Sequence, residues 1–335
     1  MQDSRPEKLS PEKLAQEYSF QRYLAAKKSV DDRALNGHTW STLAELLLPA
    51  APGRPLEILE IGAGIGTMAE RMLESRLLAS ARYTALDAQA ENIACALARL
   101  PRWGSRQGFE IRAPVGGPIH LERSGQAVTL TFEAADVFDF VTRVGGRQWD
   151  LLLAHAFLDL VDIPSALPQL FSLLRPGGLF YFTLNFDGAT LLQPQLDAGL
   201  DELIQALYHR TMDERITGGC PSGDSRAGRH LFTHLRQAGA QILAAGASDW
   251  VVFGGPHGYP EDEAYFLHFI LHTIHSALHG HPQLEPGRFD AWLAERHAQV
   301  ERAELTYIAH QLDFVGRVDD PIPQALLPAP GEAEA

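Results

Sequence analysis

The chain has 335 residues, of which 45% are apolar and 21% charged, so it is too long for one minimal domain and short for three. It contains no apolar run of the roughly 18 residues that a membrane span requires and no apolar signal segment before residue 40, so we expect a cytoplasmic protein without a membrane partner. A net charge of −14, from 42 acids and 28 bases, argues against a nucleic-acid partner, because phosphate binding relies on clustered Lys and Arg.

The first part of the chain is predicted to be helical. Apolar residues recur at helical spacing from Leu14 to Leu24 and from Trp40 to Leu47, which predicts two helices. The segment Ala51–Pro55 is rich in Pro and is typical of a linker. We therefore predict an N-terminal helical cap at residues 1–50.

From residue 56 onward, short buried strands alternate with helices. The predicted strands are Leu56–Ile61, Arg82–Leu86, Val128–Ala134, Leu151–Ala154, Leu179–Leu184, Ala240–Ala245 and Leu305–Arg317. The predicted helices are Thr67–Ser75, Ala90–Leu100, 261–279 and 287–304. This alternation indicates right-handed βαβ units, and so a doubly wound, Rossmann-like α/β fold with a mostly parallel sheet.

Insertions interrupt this pattern. Residues 101–127 predict an inserted β-hairpin, residues 188–225 a helix that ends in a Gly-rich loop, and residues 258–304 two helices in succession. The main domain is therefore predicted to span residues 51–318. The tail, residues 319–335, is rich in Pro, Ala and Glu and is predicted to be disordered.

A glycine-rich turn, Glu60-Ile-Gly62-Ala-Gly64-Ile-Gly66, closes the first strand. Glycines let the backbone approach a ligand, and the N-terminus of the next helix supplies free N–H groups. The third glycine comes one residue too early for the dinucleotide fingerprint. Glu60 would repel a diphosphate but attract the ammonium of an amino-acid-bearing ligand. The turn therefore favours S-adenosylmethionine over NAD, and an NAD-linked oxidoreductase is the alternative.

Two further acids follow predicted strands. Asp87 ends the second strand, where a carboxylate can accept both hydroxyls of a ribose. Asp136 follows the third strand, where it can accept from the adenine amino group while Val137 packs on the ring. Either acid alone could instead be a helix cap. Together with Glu60 they would share the carboxyl edge of a parallel sheet, where open α/β sheets bind ligands.

The sequence resembles the class I S-adenosylmethionine-dependent methyltransferase family over about residues 55–186. The matching parts are the Glu60–Gly66 motif, Asp87, Asp136, Leu151–His155 and Leu173–Gly178. The resemblance implies a seven-stranded sheet whose last strand is antiparallel, S-adenosyl-L-methionine as cofactor and methyl transfer to a nucleophile. The cofactor contacts that it implies are Glu60, Gly62, Ala63, Gly64, Asp87, Ala88, Asp136, Val137 and His155.

The residues after the fourth core strand are the candidates for catalysis. Methyl transfer needs mainly alignment and exclusion of water, and a general base is optional. If the segment is helical, His155 and Asp159 lie one turn apart, and Asp159 could orient His155 as a base. Alternatively, His155 lends only its backbone to the cofactor and Asp159 is a solvated residue. We expect an O or N atom of a small molecule as acceptor; a non-catalytic cofactor-binding protein is the alternative.

Four histidines share one face of the helix predicted at 261–279: His268, His272, His275 and His279. Their spacing suits a metal pair, but no neighbouring ligand residue supports one, and the two cysteines of the chain are too few for a zinc site. We therefore expect no metal. The stripe could line an acceptor pocket or be a half-exposed polar face.

Basic residues flank the predicted site. Lys27, Lys28 and Arg33 could reach the cofactor carboxylate or lie on a solvated helix face. Arg226 and Arg229 adjoin the Gly-rich loop, which could be a mobile lid.

Overall fold

The computed structural model describes residues 18–47, 54–146, 148–217 and 219–319. Two helices precede the sheet, as predicted: α1 (Phe20–Ala34) and α2 (Gly37–Leu47). Ser19 caps α1, because its side chain accepts from the backbone N–H of Arg22. The start of the predicted first helix, part of the linker and the predicted disordered tail beyond residue 319 lie outside the described residues.

The remaining elements follow in chain order. The strands are β1 (Leu56–Ile61), β2 (Ser80–Asp87), β3 (Glu110–Arg112), β4 (Ile119–Arg123), β5 (Gln126–Ala134), β6 (Trp149–His155), β7 (Leu174–Gln193), β8 (Ile216–Thr217), β9 (Cys220–Pro221), β10 (Ala240–Ala247), β11 (Trp250–Val252) and β12 (Thr306–Val318). The helices are α3 (Thr67–Glu74), α4 (Ala90–Arg106), α5 (Val137–Val144), α6 (Ile163–Phe171), α7 (Ala198–Asp213), α8 (Ala227–Gln237), α9 (Glu263–Leu278) and α10 (Pro286–Glu301), with a 3-10 turn at Leu158–Leu160.

The main sheet has the strand order β10-β12-β7-β6-β1-β2-β5-β4-β3, and β11 pairs with β12. The strands from β7 to β5 pair in parallel, and β12 is antiparallel to both of its neighbours, β7 and β10. The seven strands from β10 to β5 therefore form the mostly parallel, Rossmann-like sheet that was predicted, with the last strand of the chain antiparallel. The hairpin β3–β4, predicted within residues 101–127, extends the sheet at one edge.

Alternate residues of the central strands face two apolar cores. On β1, Leu59 and Ile61 pack into one core while Ile58 packs into the other. On β6, Leu152 and Leu153 divide in the same way. Helices cover both faces of a parallel sheet, which is why these strands are almost continuously apolar in sequence.

A third apolar core lies beyond the carboxyl edge of the central strands. It is built by α1, α7, α9 and α10 against the far ends of β7 and β12, with Phe266, Leu271 and Trp292 among its buried side chains. Because α1 packs mainly on α9, α1 and the predicted 258–304 insertion form one layer over this edge, whereas α2 packs on β10 and β12. No helix within the part of the chain described is long and apolar enough to cross a bilayer.

Two predicted boundaries are wrong. Helix α4 continues through Pro101 to Arg106, because Trp103 and Gly104 are buried under the hairpin; a Cβ on Gly104 would lie 2.8 Å from the Leu121 side chain. Strand β7 is 20 residues long and extends well past Leu184. Its pairing with β12 continues to Gln193, so the first residues of the predicted 188–225 insertion are strand and not helix.

Candidate active site

Three acids lie at neighbouring strand ends on one edge of the sheet. Glu60 is on β1, Asp87 ends β2, and Asp136 follows β5, while these three strands are adjacent and parallel. The register pairs Glu60 with Ala85 and Asp87 with Ala134. The predicted grouping of the acids at the carboxyl edge is therefore confirmed.

Asp87 joins the glycine turn to the second strand. Its Oδ2 accepts from the backbone N–H of Gly64 at 2.8 Å, and its Oδ1 accepts from the backbone of Gln89 at 2.8 Å and from Asn92 Nδ2 at 3.1 Å. The carboxylate is therefore fixed in direction, as a group that recognises two adjacent hydroxyls has to be.

Asp136 is the N-cap of α5. Its Oδ1 accepts from the backbone N–H groups of Phe138 at 2.8 Å and Asp139 at 3.3 Å. This oxygen therefore caps the helix, as the alternative interpretation of Asp136 predicted. The cap leaves Oδ2 available. Ala88 and Asp136 are both exposed, and Val137 lies buried beside them. The edge is therefore accessible where the adenosine half of the cofactor was predicted.

Glu60 is buried, with 1% of its surface exposed. The Tyr83 hydroxyl donates to its Oε2 at 2.7 Å. Burial raises the pKa of Glu60 to about 8, against the opposing effects of the Tyr83 hydrogen bond and the positive charge of Arg71. The carboxyl group is therefore mostly protonated at neutral pH, and an ammonium ion beside it would favour the charged form.

Side chains cover the glycine turn. Gly62 and Gly64 have φ of +65° and +54°, a left-handed conformation that favours glycine. A Cβ would lie 2.8 Å from the Phe157 ring at Gly62 and 3.2 Å from Leu24 at Gly64. Phe157 follows β6 and Leu24 belongs to α1, so both elements close over the turn.

A buried cluster of charges lies next to this turn; we call Lys27, Asp31, Arg71 and His155 the Asp31 cluster. Asp31 Oδ2 lies 2.6 Å from Lys27 Nζ, 3.0 Å from His155 Nε2 and 3.4 Å from Arg71 Nη2. Trp250 Nε1 donates to Asp31 Oδ1 at 2.9 Å. Although burial alone would raise the pKa of Asp31, Lys27, His155 and Arg71 lower it below its ordinary range. The cluster fixes α1 to α3 and β6.

His155 has both ring nitrogens engaged. Its Nε2 donates to Asp31, the tautomer that a carboxylate partner requires, and its Nδ1 lies 2.7 Å from the Thr183 hydroxyl, which donates to it. Burial and the nearby charges of Lys27 and Arg71 lower the pKa of His155 to about 4. The ring is therefore neutral at physiological pH.

The predicted pairing of His155 with Asp159 is wrong. The chain after β6 is not an α-helix: Ala156 has φ of +51°, and a 3-10 turn follows at Leu158–Leu160. Asp31, which is 124 residues away in sequence, orients the His155 ring instead. No local pattern in the sequence connects these two residues.

Asp159 lies in the 3-10 turn that follows β6. Its Oδ1 is buried and has no hydrogen-bond partner among the described residues. Burial raises the pKa of Asp159 to about 6, against the opposing charges of Arg215 and Lys27. A carboxyl group with this pKa and a free oxygen can accept a proton near neutral pH.

Three other basic candidates, Lys28, Arg33 and Arg229, form ion pairs within the protein. Lys28 Nζ lies 2.8 Å from Asp32 Oδ2, and Arg33 Nη1 lies 2.6 Å from Glu263 Oε1. In the same way, Arg229 Nε lies 2.8 Å from Asp187 Oδ1, which fixes the start of α8 to β7.

The histidine stripe packs against α10 and the N-terminal segment. His268 Nδ1 lies 2.7 Å from His297 Nδ1, and His268 Nε2 lies 2.8 Å from Glu301 Oε1. His272 stacks on Tyr18 with ring centroids 4.4 Å apart. Across the four described ranges, no three His, Cys, Asp or Glu side chains are placed to hold one metal ion.

Residues 59–180 match the family model of the methyltransferase domain, which includes the glycine turn, all three edge acids and Asp159. This match covers about a third of the chain and identifies a methyltransferase domain in that part of it. The match favours methyl transfer over the alternative of an NAD-linked oxidoreductase. No curated protein matches the chain in sequence.

Several solved structures resemble the methyltransferase domain and its insertions at low identity. Phosphoethanolamine N-methyltransferase 2 of Haemonchus contortus, in complex with phosphomonomethylethanolamine and S-adenosylhomocysteine, is 11% identical, with a TM-score of 0.41, and 92% of this chain and 60% of that one are covered. Geranyl diphosphate C-methyltransferase of Streptomyces coelicolor is 8% identical, with a TM-score of 0.38 and coverage of 83% and 80%. The [4+2]-cyclase SpnF is 15% identical, with a TM-score of 0.41 and coverage of 91% and 95%.

Proposed function

We propose that this protein transfers the methyl group of S-adenosylmethionine to an oxygen or nitrogen atom of a small-molecule acceptor. The observation that carries the proposal is the edge formed by Glu60, Asp87 and Asp136 around the glycine turn. Two of these acids are accessible where a nucleoside would lie, and the third is buried where an amino-acid ammonium would restore its charge.

The side chains at this edge of the sheet have the chemical groups needed to bind each part of S-adenosylmethionine. Asp87 and Ala88 would hold the ribose, and Asp136 Oδ2 with Val137 would hold the adenine ring. Glu60 and Arg71 lie within electrostatic reach of each other and offer opposite charges to the ammonium and carboxylate of the amino-acid end. Because Leu24 and Phe157 cover the turn, α1 has to shift for this end to enter.

When bound, S-adenosylmethionine supplies a methyl group on a sulfonium, which is already a good leaving group. The residues of the chain then have to align the acceptor and exclude water. An O–H or N–H acceptor that received this methyl group would have to give up a proton, and a group of the chain would have to take it. We assign this proton to Asp159, because its Oδ1 is buried without a partner among the described residues and burial raises its pKa to about 6.

We assign His155 a positioning role and not that of the base. Its two nitrogens are occupied by Asp31 and Thr183, so the imidazole joins α1 to the ends of β6 and β7. The burial of Asp159 favours a small acceptor, because a side chain of a folded protein or a base in a duplex would not reach this carboxyl group without rearrangement.

Calorimetric titration with S-adenosylhomocysteine tests the cofactor site. We expect binding to the wild type, no binding of NADH, and a loss of at least about tenfold in affinity, which is roughly 1.4 kcal/mol, for Asp87→Asn. Asp139→Asn is the matched control, because Asp139 is an exposed acid in the first turn of α5 and should leave the affinity unchanged. Binding of NADH without S-adenosylhomocysteine would falsify the proposal.

A further inference from the structure

Asp313 on β12 is fully buried and accepts hydrogen bonds from two different elements. Its Oδ1 accepts from the backbone N–H of Leu184 on β7, and its Oδ2 accepts from the backbone N–H of Asn36, which lies between α1 and α2, both at 2.8 Å. Burial raises the pKa of Asp313 to about 6, although these hydrogen bonds oppose the rise. The carboxylate is therefore mostly ionised at neutral pH, and each of its oxygens holds one of the two elements.

Strand β7 bulges where it meets Asp313. The register of β7 against β12 shifts there, so that Thr183 and Leu184 both lie opposite Asp313. Leu184 has φ of +55°, a left-handed conformation that is unfavourable for a residue with a large side chain. Such a conformation persists only where its surroundings hold it, and the hydrogen bond from the Leu184 N–H to Asp313 is one contact that holds it here.

The bulge places Thr183 beside His155 on the neighbouring strand, β6. The Thr183 hydroxyl donates to His155 Nδ1 at 2.7 Å, and His155 Nε2 donates to Asp31 Oδ2 at 3.0 Å. Asp31 lies in the last turn of α1, and Asn36, the residue that the other oxygen of Asp313 holds, follows this helix. Asp313 therefore acts on both ends of the chain of contacts that runs through His155.

These contacts form a closed circuit, which we call the Asp313 circuit. It runs from Asp313 through Leu184, Thr183, His155, Asp31 and Asn36 back to Asp313. Because every link is a hydrogen bond or a short stretch of backbone, the end of α1 cannot move away from β6 and β12 without breaking one of these hydrogen bonds. On the same helix, Leu24 lies 3.2 Å from the position of a Cβ on Gly64, so the circuit holds the helix that covers the glycine turn.

We propose that Asp313 is a positioning residue, which fixes the orientation of His155 and holds the end of α1 so that this helix stays over the glycine turn. The effect of α1 on cofactor entry rests on the methyl transfer proposed above, whereas the effect on His155 does not. The role requires a carboxylate, because an asparagine of the same shape has one acceptor oxygen and would present its NH2 group to the second backbone N–H. Asp313→Asn should therefore break the circuit at Leu184 or at Asn36.

The nitrogen NMR signals of the His155 ring test the first part of this role in the full chain without a ligand. In the wild type we expect a neutral ring with its proton on Nε2 and a hydrogen-bonded Nδ1, and His155→Gln identifies these signals by their loss. Asp313→Asn should shift the Nδ1 signal if Leu184 is released and the Nε2 signal if Asn36 is released. Asp249→Asn is the matched control, because Asp249 also accepts from a backbone N–H of β12 and should leave both signals unchanged. Unchanged His155 signals in Asp313→Asn would overturn the assignment.

Thr183→Val breaks the circuit without altering Asp313, and it replaces Asp313→Asn if that variant does not fold. The change removes the hydroxyl that joins β7 to His155. We expect the amide of Asn36, on the opposite side of the circuit, to exchange with solvent about tenfold faster than in the wild type, as the loss of one hydrogen bond allows. Thr129→Val is the matched control, because it removes a similar threonine–histidine contact between β4 and β5, outside the circuit. Unchanged exchange at Asn36 in Thr183→Val would reject the circuit.

The rate at which S-adenosylhomocysteine binds tests the second part of the role. Because α1 has to shift for the amino-acid end of the cofactor to enter, Asp313→Asn should raise the association rate several-fold in stopped-flow measurements, while Asp249→Asn leaves it unchanged. Equal association rates in the wild type and Asp313→Asn would show that Asp313 does not hold α1 over the glycine turn. If the wild type does not bind S-adenosylhomocysteine but the His155 signals respond as expected, the proposed reaction is wrong and the orientation of His155 still depends on Asp313.

Discussion

Glu60 combines two properties that a sequence pattern cannot show together. Its position before the glycine turn predicts an interaction with an ammonium ion, while its burial raises its pKa to about 8. The carboxyl group therefore has to lose a proton before it can pair with the amino-acid end of the cofactor. The proposed cofactor site is thus coupled to pH by a residue to which we assign no part in the chemistry.

This coupling predicts that the affinity for S-adenosylhomocysteine rises with pH. Between pH 6 and pH 8 the ligand amine stays charged while Glu60 approaches its pKa, so we expect the affinity to increase several-fold per pH unit in calorimetric titrations. In Glu60→Gln the affinity should be weaker than in the wild type and should not change between pH 6 and pH 8. Tyr83→Phe removes a hydrogen bond that lowers the pKa of Glu60. In this variant the rise in affinity should therefore occur at higher pH. A flat wild-type profile would show that Glu60 does not meet the ammonium.

Helix α1 is the element on which the site depends most. It supplies Leu24 over the glycine turn, Lys27 and Asp31 to the Asp31 cluster, and Tyr23 to the third core. A ligand that contacts Gly64 from this side has to displace Leu24. The stability with which α1 docks therefore controls access to the glycine turn from this side.

Removal of the central carboxylate should release this helix. Asp31→Asn leaves Lys27 buried without its counter-charge, and breaking a buried ion pair in this way costs about 3–5 kcal/mol. We expect hydrogen exchange to accelerate along α1 while β1 stays protected. Asp262→Asn is the control, because it removes the exposed pair between Arg22 of α1 and Asp262 before α9, and such pairs contribute under about 1 kcal/mol. Equal exchange in the two variants would show that the cluster does not hold α1.

The sequence predicted elements better than the contacts between them. The glycine turn and the alternation from β1 to β6 are local patterns, and the structure confirms them together with the edge acids. The extension of β7 depends on pairing with β12, and the partner of His155 is 124 residues away, so neither follows from a local pattern.

At the scale of the whole molecule, Glu60 should also control stability near neutral pH. Its pKa in the folded protein, about 8, lies above the ordinary value near 4.3, so the folded state holds a proton that the unfolded state has lost. The resulting stabilisation is complete below the unfolded pKa and disappears as pH rises through about 8. The lowered pKa values of His155 and His297, about 4, act at lower pH, because both rings are neutral in either state above pH 7.

We therefore expect the free energy of unfolding in urea to fall by about 1 kcal/mol between pH 7 and pH 8. The isosteric variant Glu60→Gln carries no titrating proton at this position and should show no comparable fall. Saturating S-adenosylhomocysteine should reduce the wild-type slope, because its ammonium ion favours the charged carboxylate in the folded state. The same steep slope in the variant would assign the titration to another group and remove the electrostatic basis for placing the amino-acid end of the cofactor beside Glu60.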